Sequence, residues 1–227
     1  MTRQSGLSVG FDPTFTAAGR IRRRVSRLDP WPHFVADGLL KQGDLVAAQH
    51  RILNRVHRFR IKPGDPQKIR YKLIDDIPLA RIFLSQEFGR FLQVVTGQAL
   101  AIHPANLVQL RRMDRRSPEF PRHVDFFRSE PSYVCVFFLS PGWTSECGGR
   151  LRLHKAAGDE ERSLADIEPV ANRLVLFRSS RDHWHSIERV FGGWVRYSVL
   201  SEWLFESPET VPARVGSSEI AAERSRN

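Results

Sequence analysis

Cysteine is scarce in these 227 residues, with Cys135 and Cys147 the only two. They form no Cys-x-x-Cys pair, which argues against a disulfide framework and a cysteine zinc site and fits a reducing, cytoplasmic setting. Cys135, alternating with Val134 and Val136, reads as a small core residue. Long apolar runs are missing too. The longest, Tyr133 to Leu139, falls far short of the roughly 20 residues a spanning helix needs, so no membrane partner is expected. The first residues carry charge at Arg3, Asp12 and Arg20 to Arg24 without a continuous apolar region, so no secretory signal is expected. Lysine is sparse as well. It supplies five of the 35 basic residues, which face 25 acidic ones for a formal charge of +10. Such an excess points to an acidic partner (nucleic acid, an anionic surface, an acidic protein or a carboxylate substrate) or to arginine-rich coding alone.

What is present is an ordinary globular composition, 41% hydrophobic and 26% charged, in a length that suits one domain with a sizeable core. Residues 1–29 read as a basic, weakly ordered lead-in. A single domain is expected over 30–206, with a helical support at 30–98 and a β core at 99–206, followed by a polar tail at 207–227. Structure is expected to start at Asp29-Pro30-Trp31-Pro32-His33-Phe34. Asp37 then reads as the cap of a helix through Leu39, Leu40, Leu45, Val46, Ile52, Leu53 and Val56. Pro63-Gly64-Asp65-Pro66 breaks it, and a second helical pattern runs from Leu79 to about Val95, stopping before Gly97. Beyond that the period changes to two. Short strands are expected at Leu107–Leu110, Tyr133–Leu139, Arg150–Leu153, Arg173–Phe177, His185–Val190 and Trp194–Trp203. Helices followed by many short strands predict a mainly β fold, a barrel or sandwich backed by N-terminal helices.

The chemistry is concentrated in a few residues. His123-Val124-Asp125 sends an imidazole and a carboxylate out of the same face of an extended segment. A further neutral donor from another strand would complete a two-His, one-carboxylate face of the kind that leaves positions open on iron. Alone the triplet is weak, because a chain of this composition yields such spacing by chance. Its context strengthens it. Asp182-His183-Trp184-His185-Ser186-Ile187 follows the apolar strand Leu174–Phe177, and Arg196 follows across Gly192-Gly193. Arg196 and Ser198 share one strand face, while Val195, Tyr197 and Val199 share the other. A guanidinium fork beside a hydroxyl in an apolar strand suits bidentate capture of a carboxylate.

The run from His123 to Phe205 resembles the core of the iron(II)- and 2-oxoglutarate-dependent oxygenases, prolyl 4-hydroxylase-like and of the oxygen-sensing type. Besides the residues above, the resemblance is carried by Cys135 to Ser140, Gly148-Gly149-Arg150-Leu151-Arg152-Leu153, Ala165-Asp166-Ile167-Glu168-Pro169, Arg173-Leu174 and Phe177, with Trp31-Pro32-His33-Phe34 at the start. It implies a double-stranded β-helix, or jelly roll. It also implies Fe(II) on His123, Asp125 and His185, with 2-oxoglutarate and O2 as cosubstrates. Arg196, helped by Ser198, would pair with the far carboxylate of 2-oxoglutarate, and Leu151 would pack beside it. His185 is preferred to His183 as ligand for its Trp-His-x-Ile setting and its shorter spacing to Arg196. Met113 and Phe138 stand where related prolyl hydroxylases place tyrosines near the cosubstrate. That departure bears on the substrate more than on the cofactor. Retention of Asp125, a position left vacant for halide in related halogenases, favours hydroxylation.

The implied activity is hydroxylation of an unactivated C–H bond on a proline or other amino-acid unit, free, peptidyl or carrier-bound, with succinate and CO2 as coproducts. The cationic residues Arg58, Arg60, Lys62, Lys68, Arg70 and Lys72 are expected to form a loop at the mouth that holds an acidic substrate. Trp184 is a further candidate for substrate contact, and Phe126, Phe127, Trp143 and Trp184 for lining the pocket. Two alternatives stand beside this reading. One is a basic jelly-roll binding module with a degenerate metal site, against which the intact ligand set argues. The other is a nucleic-acid demethylase of the same superfamily, against which the lack of a second arginine between Arg196 and Arg214 argues.

Overall fold

The protein is seen here as a computed structural model. It describes residues 32–54, 59–61, 70–73, 78–102, 108–125, 132–154 and 163–205. The expected lead-in at 1–29 and the tail at 207–227 lie outside the described residues, as do Trp31, Arg58, Lys62, Lys68, Phe126 and Phe127.

Elements follow in the order β1 (His33–Asp37), α1 (Gln42–Leu53), β2 (Arg60–Ile61), β3 (Arg70–Leu73), α2 (Pro78–Phe83), α3 (Gln86–Thr96) and β4 (Leu100–Ile102). Next come β5 (Gln109–Met113), β6 (Phe120–His123), β7 (Ser132–Phe138), β8 (Leu151–His154), β9 (Ser163–Ile167), β10 (Arg173–Ser179), β11 (His185–Ile187) and β12 (Arg196–Phe205). Eight strands form a major sheet in the order β1-β10-β7-β12-β5-β3-β2, with β4 also on β12. Four form a minor sheet, β6-β11-β8-β9. The pairings are antiparallel, and the two sheets make the jelly roll that the family resemblance implied.

Alternation along the strands splits the interior into two cores. Tyr133, Cys135, Phe137, Leu174, Leu176, Val199 and Trp203 pack against the helices with Phe83, Phe88, Phe91 and Leu92. Val134, Val136, Phe138, Val175, Phe177 and Leu200 face the minor sheet, meeting Phe120, Leu151, Leu153, Ile167 and Ile187. Every residue of β7 is therefore buried, as its unbroken apolar run requires. Cys135 lies in the helix-side core, where burial pushes its thiol up from the usual range.

The structure alters several expectations. Asp37 caps no helix. It ends β1 and grips Arg173 through two hydrogen bonds, Nε to Oδ1 at 2.6 Å and Nη2 to Oδ2 at 3.0 Å. The first helix starts instead at Gln42. The second helical pattern is two helices, because the Ser85 hydroxyl accepts from the Phe88 N–H at 3.0 Å and starts a new one. That helix ends at Gly97, whose left-handed backbone (φ 71°) suits glycine. The cationic stretch is not simply a loop, since Arg60–Ile61 and Arg70–Leu73 pair with each other and extend the major sheet. Among the described residues, no helix is long and apolar enough to cross a membrane.

Candidate metal centre

His123 ends β6 and His185 opens β11, and the two are register partners in the minor sheet. Their rings sit 4.1 Å apart between centroids. Asp125, two residues past His123, places Oδ1 3.4 Å from His123 Nε2 and Oδ2 3.3 Å from His185 Nε2. One ligand atom from each residue falls within 4.8 Å of the others. His123 Nδ1 lies 2.8 Å from the Pro121 carbonyl. A carbonyl only accepts, so Nδ1 carries a proton, and Nε2 is the ring nitrogen directed at the cluster. Burial alone would raise the Asp125 carboxyl. The facing imidazoles of His185 and His123 outweigh that and hold it well below the usual range. The charged form is thus the one the site keeps. Two imidazole nitrogens from adjacent strands and a carboxylate just past the end of β6 form a donor set suited to Fe(II).

His183 stays apart from this cluster. It lies in the turn before β11, with Nδ1 3.0 Å from the Ser180 hydroxyl, and the side chain grouped with His123 and Asp125 is that of His185. Trp184 stacks under the guanidinium of Arg122, 5.2 Å from ring centroid to Cζ. It neighbours the triad in sequence.

Arg196 opens β12 opposite Met113 of β5 and is 2% exposed. Its Nη1 donates to Ser198 Oγ at 3.2 Å and approaches Met113 Sδ at 3.9 Å. Its Cζ lies 4.9 Å from the Phe138 ring centroid, and Nε has no hydrogen-bond partner. No described carboxylate pairs with it. Burial, aided by Arg111, pulls its pKa down to about 9. A buried guanidinium without a counter-charge is costly, and a carboxylate ligand supplies what is missing. That is the fit expected for 2-oxoglutarate.

The structure therefore brings together the predicted Arg196, Ser198, Met113 and Phe138. Leu151, 2% exposed, lies in the same inter-sheet core as Phe138 and Phe177, and the Phe177 ring packs 4.9 Å from that of His185. The triad and Arg196 thus share one apolar core between the sheets. Of the expected substrate contacts, Arg70 is held by Asp114 at 3.0 Å, Arg60 is exposed on β2, and Lys72 pairs through its backbone with Leu110. Trp143 donates to the Gly148 carbonyl at 2.8 Å, a contact that braces the turn before β8.

Gly149 and Trp194 were not singled out from the sequence as site residues. A Cβ on Gly149 would stand 3.3 Å from Arg196 Cδ, Trp194 Cζ3 and Val190 Cγ2, at a φ of 73°. The signal was the Gly148-Gly149 doublet. Its partners lie more than 40 positions later, so only the fold reveals what it makes room for.

Residues 108–204 match the profile of the 2OG-Fe(II) oxygenase superfamily. Over 98 residues, 42% of this chain, the sequence is 31% identical to Egl nine homolog 1 of Rattus norvegicus and spans 27% of that protein's length. Among solved structures, a Trichoplax adhaerens prolyl hydroxylase in complex with a hypoxia inducible factor peptide fragment is similar at a TM-score of 0.65 and 18% identity. The match covers 86% of this chain and 94% of that one. SnoN, a non-heme alpha ketoglutarate dependent epimerase from nogalamycin biosynthesis, is similar at 0.62 and 14% identity, covering 86% and 84%.

Proposed function

Since residues 108–204 belong to the 2OG-Fe(II) oxygenase superfamily and are prolyl-hydroxylase-like, we propose that the protein hydroxylates an unactivated C–H bond of a proline or other amino-acid unit. The unit is free, in a peptide or on a carrier. The observation that carries this reading is one inter-sheet core holding both a His-Asp-His triad and a buried arginine with no acidic partner among the described residues.

His123, Asp125 and His185 would hold Fe(II), and Arg196 with Ser198 would hold the far carboxylate of 2-oxoglutarate. Bound there, iron, 2-oxoglutarate and O2 supply oxidative decarboxylation, to succinate and CO2, coupled to oxidation of the substrate carbon. The protein's own part is positioning. The Pro121 carbonyl fixes the His123 tautomer, and the packing of Phe177 on His185 limits rotation of that ring. Phe138 and Leu151 keep water from the space beside Arg196, which strengthens its grip on an anion. Met113 and Phe138 offer no hydroxyl, so Ser198 is the neutral donor beside the guanidinium. This apolar lining supports a substrate class that departs from that of the sequence relatives. The exposed Arg60 and the half-buried Arg70 support a preference for acidic substrates. The two free thiols, Cys135 and Cys147, support a reducing, cytoplasmic setting.

The test is a succinate-release screen over free amino acids, proline peptides and carrier-bound amino acids, run on the wild type and on His123→Ala and Asp125→Ala. Substrate-dependent succinate is expected from the wild type alone. Equal release from either variant sinks the reading.

A further inference from the structure

A cavity of about 330 Å3 opens where β3, β5 and the turn at 192–195 meet, with walls that include Arg70, Arg112, Arg115, Arg116 and Trp194, and Asp114 as their one acid. Neither the triad nor Arg196 is among its lining residues. Met113 faces Arg196, so strand alternation turns Arg112 to the opposite face of β5. There the register sets Arg70, Arg112 and Tyr197 abreast across three strands.

Asp114 organises this wall. Its carboxylate pairs with Arg70 at 3.0 Å and with Arg112, and accepts from the Arg116 backbone N–H at 2.9 Å. Its own N–H donates to Ser117 Oγ at 3.0 Å. Arg112 Nε also donates to the Tyr197 hydroxyl at 3.3 Å. Burial opposes ionisation of both Asp114 and Arg112. Even so, these bonds hold the Asp114 carboxyl below its usual range and the Arg112 guanidinium above its own. Four arginines line the cavity against a single carboxylate, which pairs with the guanidinium groups of Arg70 and Arg112 alone, and Arg115 and Arg116 are exposed. A merely solvated cationic face would need neither a concavity nor a carboxylate aligning its forks. One carboxylate ligand would leave this charge unanswered, whereas a phosphoryl group carries nearly two charges and three acceptor oxygens for planar forks.

We propose that this cavity binds a phosphoryl-type oxyanion, carried by the substrate or by a free effector, at a site distinct from the cosubstrate carboxylate. Binding there needs neither iron nor Arg196, so it stands apart from the oxygenase reading.

The test titrates the metal-free full chain with sodium pyrophosphate at low salt, by calorimetry and by tryptophan fluorescence, with Trp194→Phe identifying the part of the signal that comes from the cavity wall among the five tryptophans. Saturable binding is expected. Arg115→Ala and Arg116→Ala should each weaken it on the order of tenfold. The control pair Arg51→Ala and Arg81→Ala, on exposed helix surface, should leave it unchanged, as should Arg196→Leu. Absence of saturable binding, equal loss in the control pair, or competition by 2-oxoglutarate overturns the proposal. So does a thymidine octamer that binds tighter than pyrophosphate and loses affinity in the same variants, because that describes a strand-tracking surface. Pyrophosphate that, with Fe(II) in excess, changes substrate-free 2-oxoglutarate turnover in the wild type and not in Arg115→Ala or Arg116→Ala identifies an effector site. Pyrophosphate that leaves turnover unchanged but competes with a phosphorylated amino acid for the cavity identifies a substrate handle.

Discussion

The two faces of the major sheet do different work, and β12 displays the contrast residue by residue. On the helix side, Val199 and Trp203 join Phe137, Leu174, Leu176 and the rings of Phe83, Phe88 and Phe91 in an apolar core. On the inner side, Leu200 lies along the same strand as Arg196 and Ser198, both almost fully buried. One face lowers the free energy of folding by removing hydrocarbon from water. The other sacrifices part of that gain to keep a charge and a hydroxyl aimed into the space between the sheets. Stability and chemistry are thereby placed one residue apart.

Substitutions on the two faces should separate these roles. Phe137→Ala, on the helix side, should cost about 3–5 kcal/mol, seen as a lower urea midpoint with an unchanged slope. Arg196→Leu should act in the opposite sense. Affinity for 2-oxoglutarate should fall by about 2–5 kcal/mol, while the ligand-free melting temperature holds or rises because a buried unpaired charge is gone. Added 2-oxoglutarate should then raise the melting temperature of the wild type and not of the variant. A variant that loses stability and still responds to 2-oxoglutarate would erase the distinction between the faces. Gly149→Ala should be intermediate, costing about 1–3 kcal/mol for its positive φ and weakening 2-oxoglutarate binding by pressing on Arg196. Asp37→Ala, at the sheet edge, should cost no more than about 1 kcal/mol. Its carboxylate is 63% exposed despite two hydrogen bonds to Arg173, and chemical denaturation can measure the loss.

Much of this contrast was legible in the chain itself. The period-two runs at 133–139 and 173–177, the His123–Asp125 spacing and the Arg196–Ser198 face are local patterns, and each landed where its pattern placed it. What escaped was non-local. His33 to Asp37 read as the approach to a helix, because nothing nearby reveals that it pairs with β10, some 140 residues later. The hairpin of β2 and β3 read as a loop because its sequence is cationic and proline-broken. Its order comes from β5, where Arg70 meets Arg112 and Asp114. The break between α2 and α3 had a local signal that the apolar periodicity masked, a serine cap at Ser85 followed by Glu87 in the first turn. The arginine cavity was invisible for the same non-local reason, since its walls come from three separate stretches of chain.

The place of β12 in the sheet also sets a schedule for synthesis. It borders β7 on one side and β5 and β4 on the other, yet it is the last strand of the described chain to be translated. Until residues 196–205 leave the ribosome, β7 and β5 lack the neighbour that joins them, and the nascent chain exposes unpaired edges. The strand that completes the major sheet is also the one that delivers Arg196. The protein therefore gains the arginine proposed to anchor the cosubstrate and its finished core in the same late event, and a chain stalled before that point has neither.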